Sequence, residues 1–182
     1  WISKSNNPKR KLKYTLEIIE DNKSKVGVNT HSTNKIIHHA LKNNCIKDFK
    51  NSSQIKTEVN FGPNTRFDFL IIKKNSKAFI EVKNVTLSRK NKIAEFPDAI
   101  TKRGLKHIHE LLNASKKNYK IFLIYLIQRD DCESLSIAED IEPNYAIALN
   151  KALKDKLKVL CYDCKFLSKG IKLNKQIKFQ NE

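Results

Sequence analysis

Lys120 to Ile127 reads Lys-Ile-Phe-Leu-Ile-Tyr-Leu-Ile, an unbroken apolar run behind a single lysine. The run is too short to span a membrane, and its lack of alternation is what a strand shows when both of its faces are covered. Such a strand needs a layer above and a layer below. The chain supplies helical patterning on either side. Ile36, Ile37, Ala40 and Leu41 form one stripe, with Thr33 as N-cap and Asn43-Asn44 as a stop. Pro97 and Asp98 open a long helix whose apolar face is Ile100, Leu105, Ile108, Leu111 and Leu112. Gly104 inside that helix weakens it and points to close approach by a neighbour. Pro143, at the first helical position, starts a third helix carrying Tyr145, Ala146, Leu149 and Leu153. Strands are expected at about 56–61, 66–72 and 78–84, from Leu157 to Tyr162 and, more weakly, from Ile171 to Phe179. This order predicts an α/β fold, a sheet layered between helices.

Ahead of the first helix, Leu12, Tyr14, Leu16 and Ile18 alternate with Lys13, Thr15, Glu17 and Ile19, the pattern of a strand with one face buried. A polar turn from Asp21 to Lys25 and a short strand at Val26-Gly27-Val28 follow. Residues 1–28 cannot form a core alone, so they read as the tail of another domain or as an edge addition to residues 29–182. The chain opens at Trp1 and contains no methionine, from which a preceding portion is expected.

Charge narrows the partners. There are 36 Lys and Arg against 19 Asp and Glu in 182 residues, a formal net charge of +17. A field of that sign draws polyanions such as nucleic acid or an acidic membrane surface. Composition bias competes as an explanation, because the excess is almost all lysine in a chain also rich in Asn and Ile. The arginines, at positions 10, 66, 89, 103 and 129, are therefore the more telling cations. Cys45, Cys132, Cys161 and Cys164 do not make a disulfide framework, and Cys161-Tyr-Asp-Cys164 lacks the second pair that structural zinc wants. A cytoplasmic protein, not a membrane protein, is expected, with homodimer formation left open. No Gly-rich phosphate loop, nucleophile elbow or dinucleotide fingerprint is present.

The chemistry concentrates at Asp68, in the middle of Phe67-Asp-Phe-Leu-Ile-Ile72, and at Glu81-Val82-Lys83 in the next strand. An ionised carboxylate in so apolar a run loses its hydration and is tolerable only beside a counter-charge or a cation. Glu81 and Lys83 share one strand face because successive residues alternate sides, and a hairpin would bring Asp68 alongside. Asp68, Glu81 and the main-chain carbonyl of Val82 would hold Mg²⁺ or Mn²⁺, while Lys83 would orient or deprotonate the attacking water in phosphodiester hydrolysis. A cross-strand ion pair that neutralises itself on a half-buried face is the competing reading. Glu58 is a further candidate metal ligand, or else a surface strand glutamate.

Several motifs then carry a resemblance. Asn7-Pro-Lys-Arg-Lys-Leu-Lys-Tyr-Thr-Leu-Glu17, Arg66-Phe-Asp-Phe-Leu70, Glu81-Val-Lys-Asn-Val-Thr-Leu87, Phe96-Pro-Asp-Ala-Ile-Thr-Lys-Arg-Gly-Leu-Lys-His107 and Gln128-Arg129 occur in the order seen in the sugar fermentation stimulation protein A (SfsA) family, which the chain resembles. The resemblance implies a restriction-endonuclease-like PD-(D/E)xK domain over residues 29–182. It also implies that residues 1–28 are the C-terminal remnant of an OB-fold domain. DNA is the implied partner, through a catalytic site or through a non-catalytic, regulatory scaffold for sugar-utilisation genes. Ile141-Glu-Pro143 departs from the family's usual Asp-Pro. Within that frame Arg66, Thr86, Ser88, Arg89 and Lys90 are candidate phosphate contacts beside the scissile position. Thr101, Arg103 and His107 lie on the opening turns of the long helix, where its positive end would favour a phosphate. Lys102 reads as solvated helix face. Gln128 ends the central strand, either emerging into a cleft that holds DNA or serving as a polar cap.

Overall fold

The computed structural model describes residues 1–20 and 24–180, so the polar turn expected from Asp21 to Lys25 lies partly outside the described residues. Six strands make the main sheet: β5 (Gln54–Asn60), β6 (Arg66–Lys73), β7 (Ser76–Val85), β10 (Lys120–Ile127), β12 (Lys158–Leu167) and β13 (Gly170–Gln176). Their order is β13-β12-β10-β7-β6-β5. The apolar run forms β10, which is paired in parallel with β7 on one side and β12 on the other. Both edges are hairpins: β5–β6–β7 and β12–β13 run antiparallel.

Strict alternation along β10 divides the core. Ile121, Leu123, Tyr125 and Ile127 pack with helices α2 (Lys102–Lys116) and α3 (Pro143–Lys154). Phe122, Ile124 and Leu126 pack with helix α1 (Thr33–Lys42). The sheet is thus layered between helices, as the covered strand required. β7 alternates in phase with it: Phe79 and Val85 face α2 and α3, and Ala78, Ile80 and Val82 face α1. Glu81 and Lys83 therefore project toward α2.

A second, four-stranded sheet, absent from the sequence reading, has the order β14-β11-β9-β8. It comprises β8 (Leu87–Lys90), β9 (Ile93–Phe96), β11 (Ser134–Ile137) and β14 (Lys178–Gln180). Ala94, Phe96 and Leu135 carry it onto the α2–α3 side of the core. Strands of four residues or fewer give too little periodicity to read. The helix expected from Pro97 starts instead at Lys102, because Thr101 is its cap: the Thr101 hydroxyl accepts from the Gly104 N–H at 2.9 Å. Ile100 consequently precedes the helix and is 74% exposed, not part of its apolar face. α1 begins at Thr33 itself, after a short 3₁₀ turn, and ends at Asn43 and Asn44 as expected.

The N-terminal residues form two small antiparallel pairs, β1 (Ile2–Lys4) with β2 (Tyr14–Leu16) and β3 (Ile18–Glu20) with β4 (Lys25–Gly27). They join the main body at the end of β10. The Gly27 N–H donates to the Gln128 carbonyl at 2.8 Å, and the Lys25 N–H donates to Asp130 Oδ1 at 2.8 Å.

Candidate active site

The site lies where β6 and β7 part. Their ladder ends at the pair Phe69–Ile80, so the next residues, Asp68 and Glu81, flank a fork. Alternation breaks there as well: Phe67 packs on the α2 side and Phe69, two residues on, packs on the α1 side. Across the hairpin, Glu58 takes a left-handed backbone (φ 53°), between Thr57 paired with Phe69 and Val59 paired with Phe67. This irregularity turns the Asp68 carboxylate into the fork. There Oδ2 accepts from the Val82 N–H at 2.7 Å, replacing the ladder bond that the parting strands cannot make. Oδ1 accepts from the Asn34 amide of α1, also at 2.7 Å.

Glu81 is buried, with its Oε1 shared by two donors. Lys83 Nζ lies 2.7 Å away, and His107 of α2 approaches the same oxygen through Nδ1. Oε2 is buried with no hydrogen-bond partner among the described residues. An unpaired buried carboxylate oxygen is costly, which makes it the strongest polar signal in the site. Burial works to raise the Glu81 carboxyl, but the hydrogen bond from His107 and the charge on Lys83 outweigh it and hold the group below its ordinary value. Asp68 behaves in the opposite way: burial first, and then the neighbouring Glu81 charge, push it up to about 6. Two adjacent carboxyls whose environments separate them in this manner are a mark of functional sites.

The expected row of three groups on one sheet face is corrected in detail. Glu81 and Lys83 point toward α2, whereas Asp68 sits in the fork and is held from α1. The ion pair that forms joins Lys83 to Glu81 within β7, not across strands as the competing reading had it. Among the described residues, no group of three or more His, Cys, Asp and Glu is arranged to hold a metal. Glu58 does not complete one; it is half-exposed and paired with Arg66 at 2.7 Å. Asp68 and Glu81 nevertheless suit a magnesium-like ion. Such ions keep several waters and take only one or two protein carboxylates, and Glu81 Oε2 is an acceptor with nothing to accept.

The candidate DNA contacts divide. Arg103 and Lys90 are exposed, as is Arg66 beside Glu58. The Ser88 hydroxyl donates to the Lys90 carbonyl at 3.1 Å, and the Thr86 carbonyl accepts from Arg129 at 2.9 Å. Arg89 is held in forked contacts by Glu95 and Asp140, at 2.6–3.0 Å. The Thr101 hydroxyl is spent on capping α2. His107, expected at a phosphate, is buried against Glu81 instead. Gln128 is corrected outright. It is 0% exposed, so it cannot reach DNA, and its amide donates to Thr33 Oγ1 at 3.1 Å and Asn84 Oδ1 at 2.6 Å while accepting from the Ser32 hydroxyl at 3.2 Å. The polar-cap reading of Gln128 is the one realised. Asn34 was visible in the sequence as a polar residue on the first helix; its bond to Asp68 was not. Phe61 packs with Phe67, Phe79 and Tyr119.

A mixed α/β sheet between helices, with an acid–lysine–histidine cluster at a strand fork, defines the class of protein. Residues 31–170 match the family model described as the sugar fermentation stimulation protein RE domain. The chain is 51% identical over 181 residues to the sugar fermentation stimulation protein homolog of Pelagibacter ubique (strain HTCC1062), covering 100% of this chain and 78% of that protein. It is 38% identical over 179 residues to the homolog of Rhodospirillum centenum, covering 98% and 77%. The solved structure of Pyrococcus furiosus SfsA in complex with Ca²⁺ superposes with a TM-score of 0.89 at 20% identity, over 99% of this chain and 77% of that one. The protein belongs to the sugar fermentation stimulation protein (SfsA) family.

Proposed function

We propose that this chain is a DNA-binding protein whose Asp68, Glu81 and Lys83 form a magnesium-dependent site of the PD-(D/E)xK nuclease type, built to hydrolyse a phosphodiester. The observation that carries the reading is the buried Glu81 Oε2 without a partner, one strand from a carboxyl raised to about 6. The Ca²⁺ bound by the Pyrococcus furiosus relative supports a hard, oxygen-seeking cation on this scaffold. Mg²⁺, or Mn²⁺, would be held by Asp68, Glu81 and the Val82 carbonyl. When bound, it supplies charge neutralisation at the phosphate and at the leaving oxygen.

The chain's own residues do the rest. Asn34 and the Val82 N–H fix both oxygens of Asp68 in the fork. His107 holds the Glu81 carboxylate from the helix side, and Lys83, its other partner, would orient the attacking water. Arg66, Lys90 and Arg103, all exposed, would grip flanking phosphates, with Thr86 and Ser88 as further contacts.

One observation favours a second reading, a non-catalytic DNA-binding regulator. Both Asp68 oxygens and Glu81 Oε1 already have protein partners, so the cluster can close on itself. Incubating supercoiled and linear DNA with Mg²⁺ or Mn²⁺ decides between them. Cleavage that EDTA and Lys83→Met both abolish supports the nuclease. Salt-sensitive DNA binding by the wild type without any cleavage supports the regulator.

A further inference from the structure

A second concavity lies far from the acidic fork. Its volume is about 620 Å³, within the range that small-molecule ligands occupy. Its floor is apolar, made by the buried side chains of Phe49 from a 3₁₀ turn, Ile71 near the end of β6, Ala78 near the start of β7 and Phe122 of β10. Its rim carries five lysines: Lys73 and Lys74 from the β6–β7 turn, Lys120 at the head of β10, and Lys156 and Lys158 around the start of β12. Among the described residues lining it, Asp48 is the one carboxylate. None of the five lysines makes an ion pair with another described residue.

Two ordinary explanations fall short. Helix C-termini attract cations, but the last turns of α2 and α3 already carry Lys116, and Lys151 with Lys154. A lysine-rich surface is usually dispersed by mutual repulsion; here five lysines line one hollow with an aromatic and aliphatic floor, and Lys158 Nζ lies 5.9 Å from the Phe122 ring centroid. The hollow is also separate from the acidic fork. Ala78 lines it, and Lys83 lies five residues further along β7, about 16 Å at a strand's rise per residue.

We infer that this pocket binds a ligand of nucleoside-phosphate chemistry, its ring on the apolar floor and its phosphate among the rim lysines. A ring without a phosphate would leave the ammonium cluster uncompensated. A bare phosphate would leave the floor wet. Ser76 and Ser115, in the same lining, offer hydroxyls to a ribose or to the ring edge. The phosphate and ring can belong to a free nucleotide or to the end of a nucleic-acid strand.

Calorimetric titration in EDTA, which removes any cation from the acidic fork, separates these outcomes. The probes are a nucleoside monophosphate, its nucleoside, inorganic phosphate and a 5′-phosphorylated single-stranded oligonucleotide. Each is run against the wild type, Lys120→Glu/Lys158→Glu and the charge-matched control Lys165→Glu/Lys172→Glu on the exposed β12–β13 hairpin. The monophosphate should bind at one site, at least about tenfold tighter than the nucleoside or inorganic phosphate, and the pocket variant should lose about tenfold or more while the control stays near wild type. Saturation by the oligonucleotide alone, lost in the pocket variant, assigns the strand end as the source. Three results overturn the inference: no saturable binding of either nucleotide probe, equal losses in the two variants, or inorganic phosphate binding as well as the monophosphate. Lys120→Gln/Lys158→Gln replaces the charge-reversed pair if thermal melting shows that pair misfolded.

Discussion

Lys83 Nζ stands 2.7 Å from Oε1 of Glu81, and both side chains are nearly enclosed, at 12% and 4% exposure. Breaking such a pair from one side leaves a buried charge whose desolvation is no longer compensated. Lys83→Met should therefore lower unfolding free energy by about 3 kcal/mol in urea titrations under EDTA. Glu81→Gln, which removes the charge and keeps the shape, should cost distinctly less. Losses near zero in both variants would show the pair to be solvent-screened.

Asp68 makes an opposite prediction. Its folded-state carboxyl is raised to about 6 from the ordinary 3.8. A raised acid leaves stability intact below the unfolded value and removes it as pH climbs through the folded one. The loss thus develops between about pH 4 and pH 6 and amounts to about 3 kcal/mol above that window. Asp68→Asn, with no proton to lose, should be more stable than the wild type at pH 7–8 without metal, the advantage vanishing toward pH 4. Other titrating groups cancel in the difference between the two proteins.

The same carboxyl couples cation binding to protons. A divalent ion at Asp68 and Glu81 favours the ionised form, so binding should release a proton near pH 6 and tighten as pH rises to 7. Mg²⁺ titrations in buffers of different ionisation enthalpy measure that release. Glu81→Gln should abolish saturable heat; a wild-type signal preserved in the variant would place the ion elsewhere.

Gln128 should matter for stability and not for DNA. Its buried amide ties β10 to Thr33 and Asn84, and its carbonyl receives the Gly27 N–H. Gln128→Ala keeps the main-chain carbonyl and its bond from Gly27, but strands the side-chain partners Ser32, Thr33 and Asn84 and should cost about 2 kcal/mol in urea titrations. The salt slope of the proposed DNA binding should stay unchanged.

Gly104 is fixed by crowding, since a Cβ there would meet Thr101 Oγ1 at 2.8 Å and Tyr145 Cε2 at 3.3 Å. Gly104→Ala should lower the melting temperature although alanine is the better helix former by about 1 kcal/mol. The added methyl displaces the cap that starts α2.

Much of this architecture could be read from residue order. Ile121 to Ile127 announced a doubly covered strand because seven apolar side chains have no wet face to turn. Pro143 and the Asn43-Asn44 pair marked helix ends through local backbone preference, and Asp68, Glu81 and Lys83 stood out because charge amid apolar neighbours must be compensated. The start of α2 is less legible: Pro97 has the form of a start signal, but the helix begins at Lys102 because the cap is a side-chain hydrogen bond from the Gly104 N–H to Thr101. The small second sheet escaped because its strands are held by partners distant in the chain, Ser134 by Ile93 and Lys178 for instance.

Sequence alone determined that a covered central strand must exist and that acids beside it need a partner, because hydrophobic burial and charge desolvation act on any chain with this order of residues. Only tertiary structure decided who the partners are. Asn34 and His107 reach the acids from helices on opposite sides of the sheet, 34 and 26 residues away along the chain. Gln128 was taken inside by the N-terminal pairs that dock on the end of its strand. Contacts of that range depend on how layers stack, and no local pattern encodes the stacking.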